Sequence, residues 1–255
     1  MKWRDTILCY IALMVLPSVS VPGSIHSILD QIKPGVITII GETHRRKESI
    51  QLFQGLVTDY LRQKKCLTVA LEIDSAEQPE IDRVLQGRAA ASDLEIAPMI
   101  DHPPLRKMID DLALLKRNGA CLLILAIDTS VETRYNRDKW MAKQLAEQGS
   151  DAPILVLLGA LHTLKRVDWN LSMTKPSPSV AAILVAKGYQ VKTYPQVWRK
   201  DSCTGESRKT SRYVSVEEPE ALALLNDSLI SLINAFLAKT ARGVVDGFVV
   251  WECNK

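Results

Sequence analysis

Two of the chain's four histidines stand in the same short pattern, Gly41-Glu42-Thr43-His44 and Gly159-Ala160-Leu161-His162. Each pattern directly follows an apolar run, Val36–Ile40 in the first case and Ile154–Leu158 in the second. Two further apolar runs end in acids. Leu67–Leu71 is followed by Glu72 and, two residues on, Asp74; Cys121–Ile127 is followed by Asp128. Imidazoles and carboxylates are the side chains of general acid–base work and of metal ligation. His44, Glu72 and His162 would form a two-histidine, one-carboxylate set with open positions, a donor mix that suits zinc, manganese, iron or cobalt. A metal there would polarise a carbonyl and acidify a bound water. The same residues also permit metal-free chemistry, with His44 as general base on water and Glu42 or Glu72 orienting it. The plainer alternative is that both are loop histidines bonded to backbone.

Arg137 offers a planar fork for a carboxylate of the site or of a substrate. Against that stands a simple helix-surface pair with neighbouring Asp138. Glu48 follows His44 by one helical turn and reads more simply as a solvated helix charge. His102, before Pro103-Pro104, reads as a helix-start residue, and His26 as incidental.

These side chains act together only if the backbone delivers them to one place. The apolar runs, bounded by Gly and Pro, read as buried strands. Segments with helical spacing separate them: about 46–64, 102–117, 134–148 and 179–187, with a shorter stretch at 24–33 and another near Glu80–Leu85. Tyr189–Tyr194 and Gly247–Trp251 read as further strands, and Pro219 opens an apolar helix to about Lys239. Residues 166–178 form a long Pro/Ser-containing loop, and 199–212 read as polar and flexible. Strands alternating with helices specify a single α/β domain, a mainly parallel sheet of five or six strands with helices on both faces. In such sheets ligands bind beyond the carboxyl ends of the strands, where all the acids and both imidazoles named above fall. A glycine at the strand end lets the chain leave the sheet sharply and return the imidazole over the edge.

With 255 residues, 47% of them hydrophobic, the chain has material for one sizeable core. A net charge of +3 with no basic, aromatic-interleaved patch excludes nucleic acid as the evident partner. Residues 1–20 carry Lys2 and Arg4, an apolar stretch from Thr6 to Leu16 too short to span a bilayer, Pro17, and small residues at 18–20. That is the layout of a cleaved secretory signal, leaving a domain over 24–255 exported to a periplasm or medium; without cleavage the chain is cytoplasmic, or anchored only through this segment. Four cysteines then remain. Cys66 and Cys121 each begin a strand and are candidate neighbours, which leaves Cys203 to pair with Cys253; buried reduced thiols are the alternative.

Together the motifs resemble the erythromycin esterase, ChaN-like and TraB/Tiki superfamily. Gly41-Glu42-Thr43-His44 is similar to its first motif, Glu72 to the glutamate after its second strand, and Gly159-Ala160-Leu161-His162 to its second Gly-x-x-His. Asn136-Arg137-Asp138-Lys139-Trp140-Met141-Ala142 resembles the Arg-Asp-x-x-Met-Ala helix of the ChaN-like and esterase branches. The resemblance spans about 36–165 and implies an erythromycin esterase/ChaN-like fold. Its branches imply different activities: metal-dependent peptidases using two histidines and a glutamate, lactone hydrolysis with a histidine base, or haem binding in iron uptake. The compact size, export signal and Arg-Asp helix are nearest the ChaN-like branch, although Cys9 lacks a lipobox. The expectation is an exported ChaN/Tiki-like protein that hydrolyses an amide or ester, with Glu42, His44, Glu72 and His162 at the reaction centre, Arg137 and Asp128 binding substrate, and a divalent metal on His44, Glu72 and His162. The alternative is non-catalytic haem or iron binding, for which Tyr135, Tyr189 and Tyr194 are available beside the histidines. The ligand is thus a small molecule, a peptide or haem, with membrane contact only through the N-terminal segment.

Overall fold

The computed structural model describes residues 25–63, 65–129, 136–149, 151–167, 177–199, 203, 208–227 and 239–254. The N-terminal segment expected to be a signal, Tyr135, most of the 166–178 loop and the helix beyond residue 227 lie outside them.

Seven strands form one sheet: β1 (Val36–Glu42), β2 (Leu67–Asp74), β3 (Leu122–Asp128), β4 (Ile154–Gly159), β5 (Gln190–Trp198), β6 (Arg208–Ser215) and β7 (Gly247–Asn254). Their order across the sheet is β3-β2-β4-β1-β5-β7-β6, every pairing parallel except β6 with β7. The expectation of five or six strands is therefore corrected to seven. The extra strand is β6, which begins inside the stretch read as polar and flexible and runs three residues past it. Its sequence, Arg-Lys-Thr-Ser-Arg-Tyr-Val-Ser, has almost no apolar alternation, because an antiparallel edge strand covers little core.

Alternation along the central strands builds two cores. Ile40 on β1 and Leu155 and Leu157 on β4 face α2 (Lys47–Leu61), α3 (Gln78–Leu85) and α4 (Pro103–Arg117), with α1 (His26–Leu29) beside them. Ile37, Ile39, Val156 and Leu158 point the other way, onto α5 (Arg137–Ala146) and α6 (Val180–Ala186). A third cluster packs α7 (Pro219–Asp227) on Phe248 and Val250 of β7. Strands buried on both faces must be apolar along their whole length, which is why β1, β2 and β4 read so clearly. Among the described residues no helix is long and apolar enough to cross a membrane.

The free edge of β3 is blocked by a side chain. Gln78 Nε2 donates to Ile124 O at 3.0 Å, and its Oε1 accepts from Ala126 N at 2.8 Å, so one amide stands in for a neighbouring strand. The disulfide Cys66–Cys121 joins the entries to β2 and β3, and Cys203–Cys253 ties residue 203 to β7, the pairing derived from strand positions.

Candidate functional site

At the carboxyl edge the four strands that carry the candidate residues are adjacent, in the order β3, β2, β4, β1. Asp128, Glu72, the turn with His162, and Glu42 with His44 therefore follow one another across a single rim. β4 enters between β2 and β1, which places His162 between Glu72 and His44.

His44 leaves β1 just past Glu42. Its Nδ1 lies 3.0 Å from Glu42 Oε1. The next residue, Arg45, has φ 62°, the left-handed region that costs a non-glycine residue about 1–2 kcal/mol. This turn swings the chain from the strand end into α2, and strain of this kind concentrates at functional loops. Arg46 then stacks its guanidinium 5.6 Å from the ring centre of Trp198, which itself stacks on Trp251. The loop bearing His44 is thus anchored on both sides of the histidine. Glu42 is buried, and its Oε2 has no hydrogen-bond partner among the described residues.

His162 sits in a short 3-10 turn, Ala160–Thr163, closed by Thr163 Oγ1 donating to Ala160 O at 2.6 Å. Its Nδ1 lies 2.6 Å from Asp138 Oδ1, and its Nε2 lies 3.8 Å from Glu72 Oε1. The two imidazoles share one neighbour, Gly159. A Cβ built on Gly159 would lie 3.1 Å from His44 Cε1, 3.3 Å from His44 Nε2 and 3.5 Å from His162 Cδ2. Both rings thus lie against one glycine, and among the described residues neither is hydrogen-bonded to backbone.

Glu72 lies where β2 carries one residue more than β3 opposite it, since Leu71 pairs with Ala126 and Asp74 with Asp128. Such a bulge re-aims a side chain beside a site. The buried Glu72 carboxylate accepts from Gly159 N at 2.6 Å through Oε2 and from Arg137 Nη2 through Oε1. Arg137 also grips Asp128, with Nε on Oδ1 at 2.7 Å and Nη2 on Oδ2 at 2.6 Å. Its surface pair with Asp138 does not form; two carboxylates of the site hold it instead, leaving Nη1 unbonded among the described residues. Asp128 is fixed further by Trp140 Nε1, which donates to its carbonyl at 3.1 Å.

Asp138 is the residue that sequence reasoning missed. It was read only as a neighbour for Arg137, although the Arg-Asp pair opening α5 held the signal. Consecutive residues in the first turn of a helix point in different directions, so Arg137 reaches Glu72 while Asp138 reaches His162. The remaining candidates lie elsewhere. Glu48 pairs with Lys209 of β6 at 3.4 Å. His102 is the buried start of α4, with Nδ1 2.8 Å from Ile100 O, and His26 is exposed on α1. Asp74 caps the turn after β2 by accepting from Ala76 N.

The carboxylates set the charge of both rings. The hydrogen bond that His44 donates to Glu42 raises the pKa of His44 against the opposing pull of burial, with Glu72 adding to the rise and His162 opposing it. For His162 burial acts downward, but Asp138 and Glu72 outweigh it and the pKa is raised. Arg137 is held firmly charged by Asp128 and Glu72.

Each ring has its Nδ1 on a carboxylate, which leaves the Nε2 atoms for chemistry. The third expected metal ligand is engaged differently: Glu72 already neutralises a fixed guanidinium through one oxygen and binds backbone through the other. Among the described residues no group of three His, Cys, Asp or Glu side chains is arranged to hold a metal ion. The donor set as it stands does not fit a three-ligand metal centre. For haem, Tyr194 is buried in the core and Tyr189 lies at the opposite, amino edge, donating to Ala146 O. The His44 ring is partly exposed, at 28% of its side-chain surface, against 17% for His162.

No family model matches the chain, and no curated protein matches it. Solved structures do. A Bacillus cereus protein aligns with a TM-score of 0.61 and 12% identity, covering 89% of this chain and 91% of that one. ChaN of Campylobacter jejuni, in a structure of cofacial haem binding, aligns with a TM-score of 0.51 and 13% identity, covering 69% of this chain and 87% of that one. The chain therefore has the ChaN-like α/β fold. The resemblance read from the motifs holds at the level of architecture.

Proposed function

We propose that this ChaN-like chain is a hydrolase of ester or amide substrates in which His44 and His162 divide the acid–base work without a metal. The observation that carries this reading is the convergence of two carboxylate-backed imidazoles on Gly159, each with Nδ1 committed and Nε2 presented. His44 Nε2 takes a proton from water as its oxygen attacks the carbonyl carbon. Arg137 Nη1, left over by the two carboxylates, is the donor for the developing oxyanion. His162, charged through Asp138 and Glu72, gives a proton from Nε2 to the leaving group as the bond to the carbonyl carbon breaks. Four carboxylates (Glu42, Glu72, Asp128 and Asp138) against Arg137 and the charged His162 ring favour neutral over anionic substrates. The two disulfides support an exported protein, in keeping with residues 1–20 as a signal.

The test is hydrolysis of a panel of p-nitrophenyl esters and short peptides by the full chain, with His44→Ala and His162→Ala alongside. Loss of about 10²–10⁴-fold in kcat/KM in each variant supports the reading; turnover unchanged in either overturns it. A second reading, haem binding, is favoured by the fold shared with the haem-bound Campylobacter protein and by the partly exposed ring of His44. Haemin titration decides it: a Soret band in the wild type that disappears in His44→Ala, without hydrolysis of any ester or peptide, replaces the hydrolase with a haem binder.

A further inference from the structure

We propose that Asp138 is a positioning residue that locks His162 in the tautomer with its proton on Nδ1, so that Nε2 faces the reaction centre. The inference rests on the acid–base reading above for its consequence in catalysis, but on geometry alone for the tautomer.

One oxygen does the holding. Asp138 Oδ1 lies 2.6 Å from His162 Nδ1 and accepts from Val180 N, the first residue of α6, at 3.0 Å. A carboxylate oxygen only accepts, so the imidazole nitrogen facing it must carry the proton. The second donor fixes where the oxygen can be. Asp138 opens α5 and its carboxylate caps the start of α6, so it cannot rotate away from His162 without exposing the Val180 N–H. Ser179, the cap of α6, also donates through Oγ to Leu164 O, the residue that ends the turn containing His162. Two helices and the histidine turn are thus stitched together at one carboxylate. Glu42 is the counterpart on the other ring, but it bonds a residue only two positions away in its own loop. Asp138 instead couples three separate elements. It is the only tie from His162 Nδ1 to the rest of the fold among the described residues.

The experiment is long-range ¹H–¹⁵N correlation of the imidazole nitrogens in the full chain, at a pH where His162 is neutral, with steady-state hydrolysis of p-nitrophenyl acetate beside it. The wild type is expected to show a protonated Nδ1 and a bare Nε2 at His162. Asp138→Ala is expected to release the ring into mixed tautomers and to lower kcat by about 10–100-fold with little change in KM. In Asp138→Asn the amide oxygen can keep both hydrogen bonds, so the tautomer persists while the charge is lost. Val180→Pro removes the competing donor at a helix position that tolerates proline. It leaves Asp138 on His162, and the tautomer is expected to stay. A wild-type His162 with its proton on Nε2, or an Asp138→Ala spectrum identical to wild type, overturns the proposal. Should the wild type hydrolyse nothing, the acid–base reading fails, and the tautomer still decides the role of Asp138.

Discussion

Glu72 reaches from β2 to the backbone N–H of Gly159 on β4 and accepts its hydrogen bond at 2.6 Å, while its other oxygen meets Arg137. This buried carboxylate therefore joins two strands and one helix beneath the imidazoles. Removing it by Glu72→Ala leaves Arg137 facing Asp128 alone and orphans a buried N–H. The expected loss is about 1–3 kcal/mol of folding stability, measured by urea unfolding. A change well below about 1 kcal/mol would show that Glu72 does not hold these elements together.

Gly159 has φ −54° and ψ 140°, a conformation open to any residue. Gly159→Ala thus tests only the space between the rings. The new methyl would crowd His44 by a few tenths of an ångström, a displacement a partly exposed ring can accommodate. The expected result is a loss of stability under about 1 kcal/mol but a fall of about tenfold or more in kcat/KM. Unchanged turnover would mean that the two imidazoles do not act over this residue.

Both histidines have pKa values raised above the ordinary value of about 6.5. A raised imidazole contributes stability that is complete below the unfolded value and is lost as pH rises through the folded one. Stability is therefore expected to fall on the alkaline side of pH ~6.5, and His162→Gln should flatten that fall. Activity needs one neutral and one charged ring, so kcat/KM should be bell-shaped with both limbs above pH ~6.5. An acid limb below that value would contradict the hydrogen bonds the two imidazoles donate to Glu42 and Asp138.

Because Arg137 occupies Glu72, hydrolysis is expected to survive dialysis against a chelator. Loss of turnover on dialysis, restored by zinc, manganese, iron or cobalt, would establish a metal on His44, Glu72 and His162 after all.

The Cys66–Cys121 bridge closes a loop with a sequence separation of 55 at the amino edge, away from the imidazoles. Replacing both cysteines by Ala should cost about 2–4 kcal/mol of stability while leaving kcat/KM within about twofold. A larger loss of activity in folded protein would show that the bridge shapes the rim.

What was legible in the sequence is what local pattern encodes. β1, β2 and β4 are apolar along nearly their whole length because they are covered on both faces, whereas the edge strand β3 leaves Leu123 exposed; all four end beside residues that carry chemistry. Gly41 and Gly159 marked the carboxyl ends of β1 and β4, and the strand starts made Cys66 and Cys121 candidate neighbours. β6 left no such mark, since an edge strand needs only backbone pairing with β7 and tolerates polar side chains on both faces.

The sequence by itself determined the inventory: two imidazoles, their acids, and the strand ends that present them to one edge. It did not determine who touches whom. Strand order is set by long-range packing, and only the insertion of β4 between β2 and β1 brings His162 between Glu72 and His44. Hydrogen-bond partners depend on the direction in which each side chain leaves its helix or turn. That is why Arg137 neutralises Glu72 and Asp128 while its neighbour Asp138 turns to His162. Those directions arise when α5 packs against the sheet, a contact no spacing within the chain records.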